Sequence, residues 1–202
     1  MPKMKRALIT TLMVFMGVTG VAYAQSYRME LSVSNNAIFG ALDAKHFVSR
    51  GYMRAGIDGI YSDEDDEDYK ILNPKMLVGS ETLYPGLQCE LGFRGIIGTA
   101  EKGDDKGNMG GVGFAGNVAF TFPQSVSPIP IKLFANLTGA PRPLSFLDME
   151  RYFELSTGIG VYVVENAAIF LSYRYYDFGI EKDSDNFNIT DDTFMIGLEL
   201  QF

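Results

Sequence analysis

The sequence predicts an all-β chain, a membrane-spanning antiparallel up-and-down β-barrel of ten strands. Three observations carry that expectation. The last ten residues, Thr193–Phe202, place Phe194, Ile196, Leu198, Leu200 and Phe202 on one parity and Thr193, Met195, Gly197, Glu199 and Gln201 on the other. A period of two is that of a β-strand with one apolar and one mostly polar face. The same alternation returns along most of the chain. After the first two dozen residues no apolar run approaches the ~18 needed for a membrane helix, so a helical membrane protein is excluded.

The beginning of the chain has the layout of a secretory leader. Lys3, Lys5 and Arg6 precede the apolar and small residues 7–21, and Ala22-Tyr23-Ala24 is an A-x-A site. Cleavage is expected after Ala24, which leaves 178 of the 202 residues as one domain. A transmembrane helix is the competing reading, but the run is short and no basic stop follows it. The whole chain carries 17 Lys and Arg against 25 Asp and Glu. Loss of the three leader bases leaves 14 against 25, a net charge of −11. No nucleic-acid partner is expected for so acidic a chain. Cys89 is the single cysteine, so no internal disulfide forms; Leu87, Leu91 and Phe93 share its parity, which suits a buried or lipid-facing thiol.

The strands follow in order. Strand one alternates Tyr27, Met29, Leu31 and Val33 with Arg28, Glu30 and Ser32, and Ser34–Asn36 is a turn. Strand two, Ala37 to about Lys45, is weaker. Strand three, Gly51–Ser62, sets Met53, Ala55, Ile57 and Tyr61 against Arg54, Gly56 and Asp58. Asp63–Asp68 is six consecutive acids and reads as a solvated loop. Strand four runs from Tyr69 to about Gly79; Pro74 cannot donate to a ladder, so a bulge or register break is expected there. Pro85-Gly86 is a turn. Strand five, Leu87–Gly98, sets Leu87, Cys89, Leu91 and Phe93 against Gln88, Glu90 and Arg94, and Thr99–Met109 is a polar loop.

Strand six, Gly110–Phe122, sets Val112, Phe114, Val118, Phe120 and Phe122 against small and polar residues including Asn117. After a turn, strand seven, Ile129–Thr138, sets Ile131, Leu133, Ala135 and Leu137 against Lys132, Phe134 and Asn136. Gly139–Glu150 is a loop in which Ser145, with Asp148 three residues on, could cap one helical turn. Strand eight, Arg151–Val164, sets Phe153, Leu155, Ile159, Val161 and Val163 against Tyr152, Glu154 and Ser156. Glu165-Asn166 is a tight turn. Strand nine, Ala167–Asp177, sets Ile169, Leu171, Tyr173 and Tyr175 against Ser172, Arg174 and Tyr176. Phe178–Asp192 is the last loop before the closing strand.

Ten is an even count, most strands approach the length of a tilted bilayer crossing of about 9–11 residues, and long connections alternate with short ones; all three are rules of outer-membrane barrels. Only a closed sheet can pair every backbone group in lipid. The apolar parity would then face lipid. The lumen would hold a polar core of Arg28, Glu30, Arg54, Asp58, Glu90, Arg94, Lys132, Glu154, Arg174 and Glu199, five bases and five acids. In a soluble secreted barrel binding an apolar ligand, the two faces would exchange places. Periodicity does not separate these; the leader and the terminal Phe202 favour the membrane. Tyr61, Tyr69, Tyr152 and Tyr175 at predicted outer strand ends, and Tyr27, Phe122 and Phe202 at inner ends, are expected to form two aromatic girdles.

The terminal strand, with Phe194, Ile196, Leu198, Leu200 and a final Phe202, resembles the assembly signal of bacterial outer-membrane barrels. Ala140-Pro141, the stretch Leu144–Glu154, Ser172-Tyr173-Arg174 and Gly197–Phe202 are together similar to the C-terminal half of the YfaZ family of outer-membrane proteins. Ser172 stands where relatives often have glycine. The resemblance implies a Gram-negative outer membrane, with surrounding lipid, lipopolysaccharide and the barrel assembly machinery as partners. It supplies no activity and no catalytic residues.

The residues point to no enzyme and no cofactor. His46 is the single histidine, in a predicted turn with Asp43 and Ser49 nearby, and a lipid-modifying barrel enzyme would depend on it as general base. No nucleophile elbow, phosphate loop, zinc spacing or EF-hand occurs. The 63–68 acids lack the glycine and spacing of a calcium loop. A structural barrel with a narrow or closed pore is the expectation.

Overall fold

The computed structural model describes residues 26–48, 51–64, 67–80, 84–123, 129–182 and 185–202; the leader and its expected cleavage after Ala24 lie outside them. The described strands are β1 (Ser26–Val33), β2 (Ala37–Val48), β3 (Gly51–Glu64), β4 (Glu67–Ser80), β5 (Leu87–Lys102), β6 (Asp105–Thr121), β7 (Ile131–Ala140), β8 (Ser145–Leu147), β9 (Met149–Val164), β10 (Ala167–Lys182) and β11 (Asp185–Gln201). Ten of them close into an antiparallel barrel. Each long strand pairs with the next along the chain, β7 with β9, and β11 returns to β1. The closing seam runs from Arg28 opposite Gln201 to Val33 opposite Ile196. Past it, the Tyr27 amide donates to the Phe202 carbonyl at 3.0 Å and the Phe202 amide donates back at 2.9 Å. Closure leaves no edge, so the backbone polar groups of the wall are paired within the sheet. No helix among the described residues is long and apolar enough to cross a membrane.

The pleat settles which parity points where. Arg28, Glu30, Asp58, Glu90, Arg94, Glu154, Arg174 and Glu199 turn inward, and the apolar parity turns outward. Leu91 is 70% exposed and Phe202 71%, and Leu31, Ile38, Leu72, Phe93, Phe114, Ile169, Phe194 and Ile196 share that outer wall.

Several expected boundaries move. Of the acids at 63–68, four continue the ladder, Asp63 opposite Asp68 and Glu64 opposite Glu67 toward the tip of the β3–β4 hairpin; Asp65 and Asp66 lie outside the described residues. The tip stands in water, where like charges are screened, and Lys102 of β5 reaches Glu67 at 2.5 Å. The expected loop at 99–109 is the top of the β5–β6 hairpin, whose two-residue turn places Gly103 at φ +59. The expected loop at 178–192 is likewise ladder, from Phe178 opposite Ile189 to Lys182 opposite Asp185. β5, β6, β9, β10 and β11 therefore reach 16 or 17 residues, beyond the about 9–11 that span a bilayer.

Pro74 makes neither bulge nor shift. Ile57 stays opposite it on β3, and the β4–β5 ladder lapses after Leu72–Ile97 and resumes at Lys75–Arg94 in the same register. Gly95 makes this possible, because a Cβ there would lie 3.0 Å from the Pro74 ring. Of the expected 139–150 loop, residues 139–140 belong to β7 and 149–150 to β9, and residues 141–148 leave the β7–β9 ladder. A 3₁₀ turn at Arg142–Leu144 ends where Ser145 begins, so Ser145 follows the turn and does not cap its start. β8 then pairs with β6 at Met109–Gly111, beyond the end of β7. Asp148 fastens it: its carboxylate accepts from the Asn108 amide at 2.8 Å and its carbonyl from the Glu181 amide at 2.7 Å.

The girdle expectation also needs correcting. Tyr61 and Tyr175 lie on the outer parity, but Tyr69 and Tyr152 are buried inside. Tyr152 shares its parity with Glu154, and alternation binds it to the interior.

The outward phase predicts that Leu91→Arg lowers folding stability by about 2–4 kcal/mol in lipid vesicles, because Leu91 sits mid-strand on the apolar wall. Asn117→Arg, on the inner parity, is expected to cost less. Denaturant titration of both variants checks this, and equal costs or the reverse order contradict it.

Candidate functional site

The interior is built in three storeys. At the end holding Ser26 and Phe202 lies a cavity of about 200 Å³. A layer of ion pairs crosses the middle. Beyond it, toward the long hairpins, the barrel is filled by apolar and aromatic side chains.

The middle layer contains a closed ring of eight charges of alternating sign. Arg28 of β1 donates to Asp43 of β2 from Nε at 2.8 Å and from Nη2 at 2.5 Å. Lys75 of β4 bridges Asp43 at 2.9 Å and Asp58 of β3 at 3.0 Å. Arg94 of β5 pairs with Asp58 and with Glu154 of β9, the latter at 2.6 Å. Arg174 of β10 reaches Glu154 at 3.6 Å and Glu30 of β1 at 3.1 Å. Glu30 lies 3.7 Å from Arg28 and completes the circuit. Neighbouring-strand pairs alone would leave the centre open. The Arg94–Glu154 pair passes over β6 and β7, so it crosses the lumen.

Two further pairs fill the side the ring omits. Lys132 of β7 holds both oxygens of Glu199 on β11, at 2.9 and 3.0 Å, and Arg28 reaches the same carboxylate at 3.3 Å. Arg54 of β3 pairs with Glu90 of β5 at 2.7 Å, and Asn117 donates to Glu90 at 2.9 Å. The ring guanidiniums are well covered, Arg94 at 7% and Arg174 at 3% exposure. In surroundings of low dielectric an unpaired charge is costly, and each of these has an opposite partner.

The aromatic storey is tied to the ring by its hydroxyls. Tyr152 donates to Glu154 at 2.7 Å and Tyr176 to the same carboxylate at 3.5 Å. Tyr69 meets Tyr176 and Phe178 at centroid distances of 5.7 and 5.5 Å, and Tyr152 stacks on Phe178 at 6.2 Å. Ile96, Met109, Met149, Ile180, Ile189 and Met195 fill the space around them. Spaces of about 40 Å³ remain beside the ring, little more than one water's share of ~30 Å³.

Of the residues expected in the lumen, Arg28, Glu30, Asp58, Arg94, Glu154 and Arg174 lie in the ring, and Lys132–Glu199 and Arg54–Glu90 are the two pairs beside it. Three more belong with them. Asp43 lay on a strand whose alternation is weak, and Lys75 followed Pro74, where register was in doubt. Asp191 fell in a presumed loop; it accepts from Tyr69 at 2.5 Å and from Ser62 at 3.3 Å. Counting alternate residues back from Thr193 would have found it. The terminal residues Phe194, Ile196, Leu198, Leu200 and Phe202 lie on the outer wall, away from this network.

His46 is on β2 opposite Met53, not in a turn. Its side chain points out while Asp43 points in, so the two form no dyad; Ser49 lies outside the described residues. Among the described residues no group of three or more His, Cys, Asp or Glu could hold a metal ion.

No protein-family model matches the chain, and no curated protein matches it by sequence. Among solved structures it is similar to the NanC porin, at TM-score 0.45 and 10% identity over 87% of this chain and 98% of that one. Neisserial surface protein A matches at 0.32 and 13%, over 88% and 96%. OmpT, an outer-membrane protein of Vibrio cholerae, matches at 0.28 and 9%, over 88% and 97%. At such scores the likeness conveys no shared site or activity.

The ring predicts a steep cost for breaking it on one side. Arg94→Met leaves Asp58 and Glu154 facing each other without their common cation, at a cost of about 3–5 kcal/mol. Adding Glu154→Gln is expected to recover part of that loss, since Asp58 keeps Lys75 and Arg174 keeps Glu30. Equilibrium unfolding of both variants in vesicles checks this; no recovery in the double variant contradicts it.

Proposed function

We propose that this protein is an integral outer-membrane β-barrel whose lumen is closed by its own side chains, a structural barrel and not a diffusion channel. The observation that carries the closed lumen is the Arg94–Glu154 pair across the barrel, roofed by the Tyr69–Tyr152–Tyr176–Phe178 cluster. A hydrated solute would have to break several buried ion pairs and displace packed rings to pass. With Lys75, Asp43 and Asp191 included, six bases face seven acids in the interior, close to balance, so the closed core gives little reason to select ions by sign.

The outer wall supports the membrane. A continuous surface of exposed Leu, Ile, Val and Phe far exceeds what soluble monomers tolerate, and lipid relieves it. The soluble alternative needs those side chains inside, and they are outside. The leader and the resemblance of the C-terminal half to YfaZ proteins support the Gram-negative outer membrane. Lipid and lipopolysaccharide would contact this wall, with Asp63, Glu64, Glu67 and Asp68 and the Glu101–Lys106 hairpin top standing above it. The barrel assembly machinery would take hold of the last strand.

Two experiments test this reading. In planar bilayers the wild-type protein is expected to show no conductance or very small steps, and Arg94→Ala with Glu154→Ala to raise it. Large stable wild-type steps, comparable to a general porin, contradict the closed lumen. For biogenesis, deletion of Phe202 removes both backbone bonds to Tyr27 and the outermost side chain of a strand suited to β-augmentation. Less folded protein is expected in the outer membrane, read as heat-modifiable migration on gels; normal levels refute the role of Phe202.

A further inference from the structure

We propose that the barrel mouth beside Ser26 and Gln201 binds a small oxyanion of the phosphate or carboxylate class. The cavity there, about 200 Å³, is faced by Arg28, Lys45, Arg54 and Lys132 against one lining carboxylate, Asp43. Asp43 is already engaged by Arg28 and Lys75. The other acids that steady these bases, Glu30, Glu90 and Glu199, are not part of the cavity lining. The wall of the mouth is therefore basic in a chain that is acidic as a whole.

The donors also suit an oxyanion. Arg54 spends Nη2 on Glu90, and a guanidinium offers five N–H groups in a planar fork that matches carboxylate and phosphate oxygens. Lys45 lies over the Tyr52 ring at 3.7 Å and the Phe47 ring at 5.0 Å, which sets its ammonium at the rim. Ser26, Gln88, Tyr162 and Gln201 are half-buried in the same wall and bring neutral polar groups. The volume equals about six waters at ~30 Å³ each, which suits phosphate or a small polycarboxylate and no polymer. Low-dielectric barrel walls concentrate the field of the four bases within the mouth. The site does not depend on the closed lumen, since a conducting barrel could carry the same mouth.

The test is isothermal titration of the folded protein in uncharged detergent with inorganic phosphate, with citrate, and with glucose as a neutral control. Saturable one-to-one binding of phosphate or of citrate, with none of glucose, is expected, and whichever anion binds fixes the class. The affinity should fall as sodium chloride is raised, as it does for charge–charge recognition. Lys45→Gln, which leaves the ring untouched, should weaken binding about fivefold or more, as should Arg54→Gln, in which Asn117 still donates to Glu90. Heat-modifiable migration confirms that both variants are folded. Absence of saturable binding of either anion at tens of millimolar, or unchanged affinity in folded Lys45→Gln, overturns the proposal.

Discussion

Most of the charges inside this barrel are buried from water, and the rest of the structure depends on how they neutralise one another. Desolvating an isolated ion costs several kcal/mol even after relaxation. The chain meets that cost with a circuit in which Asp43, Asp58 and Glu154 are each shared by two bases and Arg28, Lys75, Arg94 and Arg174 each bridge at least two acids. A circuit is harder to open than separate pairs. Loss of one member leaves two others underpaired, so the energetic consequence spreads around the barrel.

The circuit explains features that look unrelated. Tyr69, Tyr152 and Tyr176 are inside although tyrosine commonly marks membrane interfaces, because their hydroxyls finish the hydrogen bonding of Asp191 and Glu154 while their rings seal the barrel above. Phe39 lies under Arg174, with the guanidinium 3.5 Å from its ring centroid, which gives the cation a face where no carboxylate stands. Gly95 lets β4 carry Pro74 without losing register, and that register sets Lys75 opposite Arg94, where the two reach Asp58 from adjacent strands. The apolar outer wall is the other half of the same alternation: every residue committed to the circuit leaves its neighbours facing outward.

Much of this was legible in the sequence. Alternation in strands one, three, five, eight, nine and ten put Leu91 and Phe194 on one face and Arg94 and Glu199 on the other, and the number of long strands followed from the turns. Boundaries were less legible. Hairpin tops such as 99–109 and 178–192 turn Ala100, Met109, Phe178, Ile180 and Ile189 inward and polar residues such as Glu181 outward, the reverse of the wall below, so the apolar-out alternation does not continue into them and they read as loops. The pairing itself was not legible. Arg94 and Glu90 are four apart on one strand, yet Arg94 joins Asp58 and Glu154, and Glu90 joins Arg54. Those partners are set by barrel stagger and by reach across the lumen, neither of which leaves a local trace in the chain.

The central claim is that the ion-pair layer seals the barrel, and Thr138 is the place to test it. Its hydroxyl accepts from Arg94 at 3.0 Å, so it lies in the layer itself, whereas Gln88 lines the mouth. In a Cys89→Ser background, Thr138→Cys and Gln88→Cys can each be treated in vesicles with a charged, membrane-impermeant methanethiosulfonate added to either side. The account predicts rapid labelling at 88 from the mouth side and none at 138 from either side. Labelling at 138 at a rate like that at 88 would mean that water and ions pass the ring, and would contradict it.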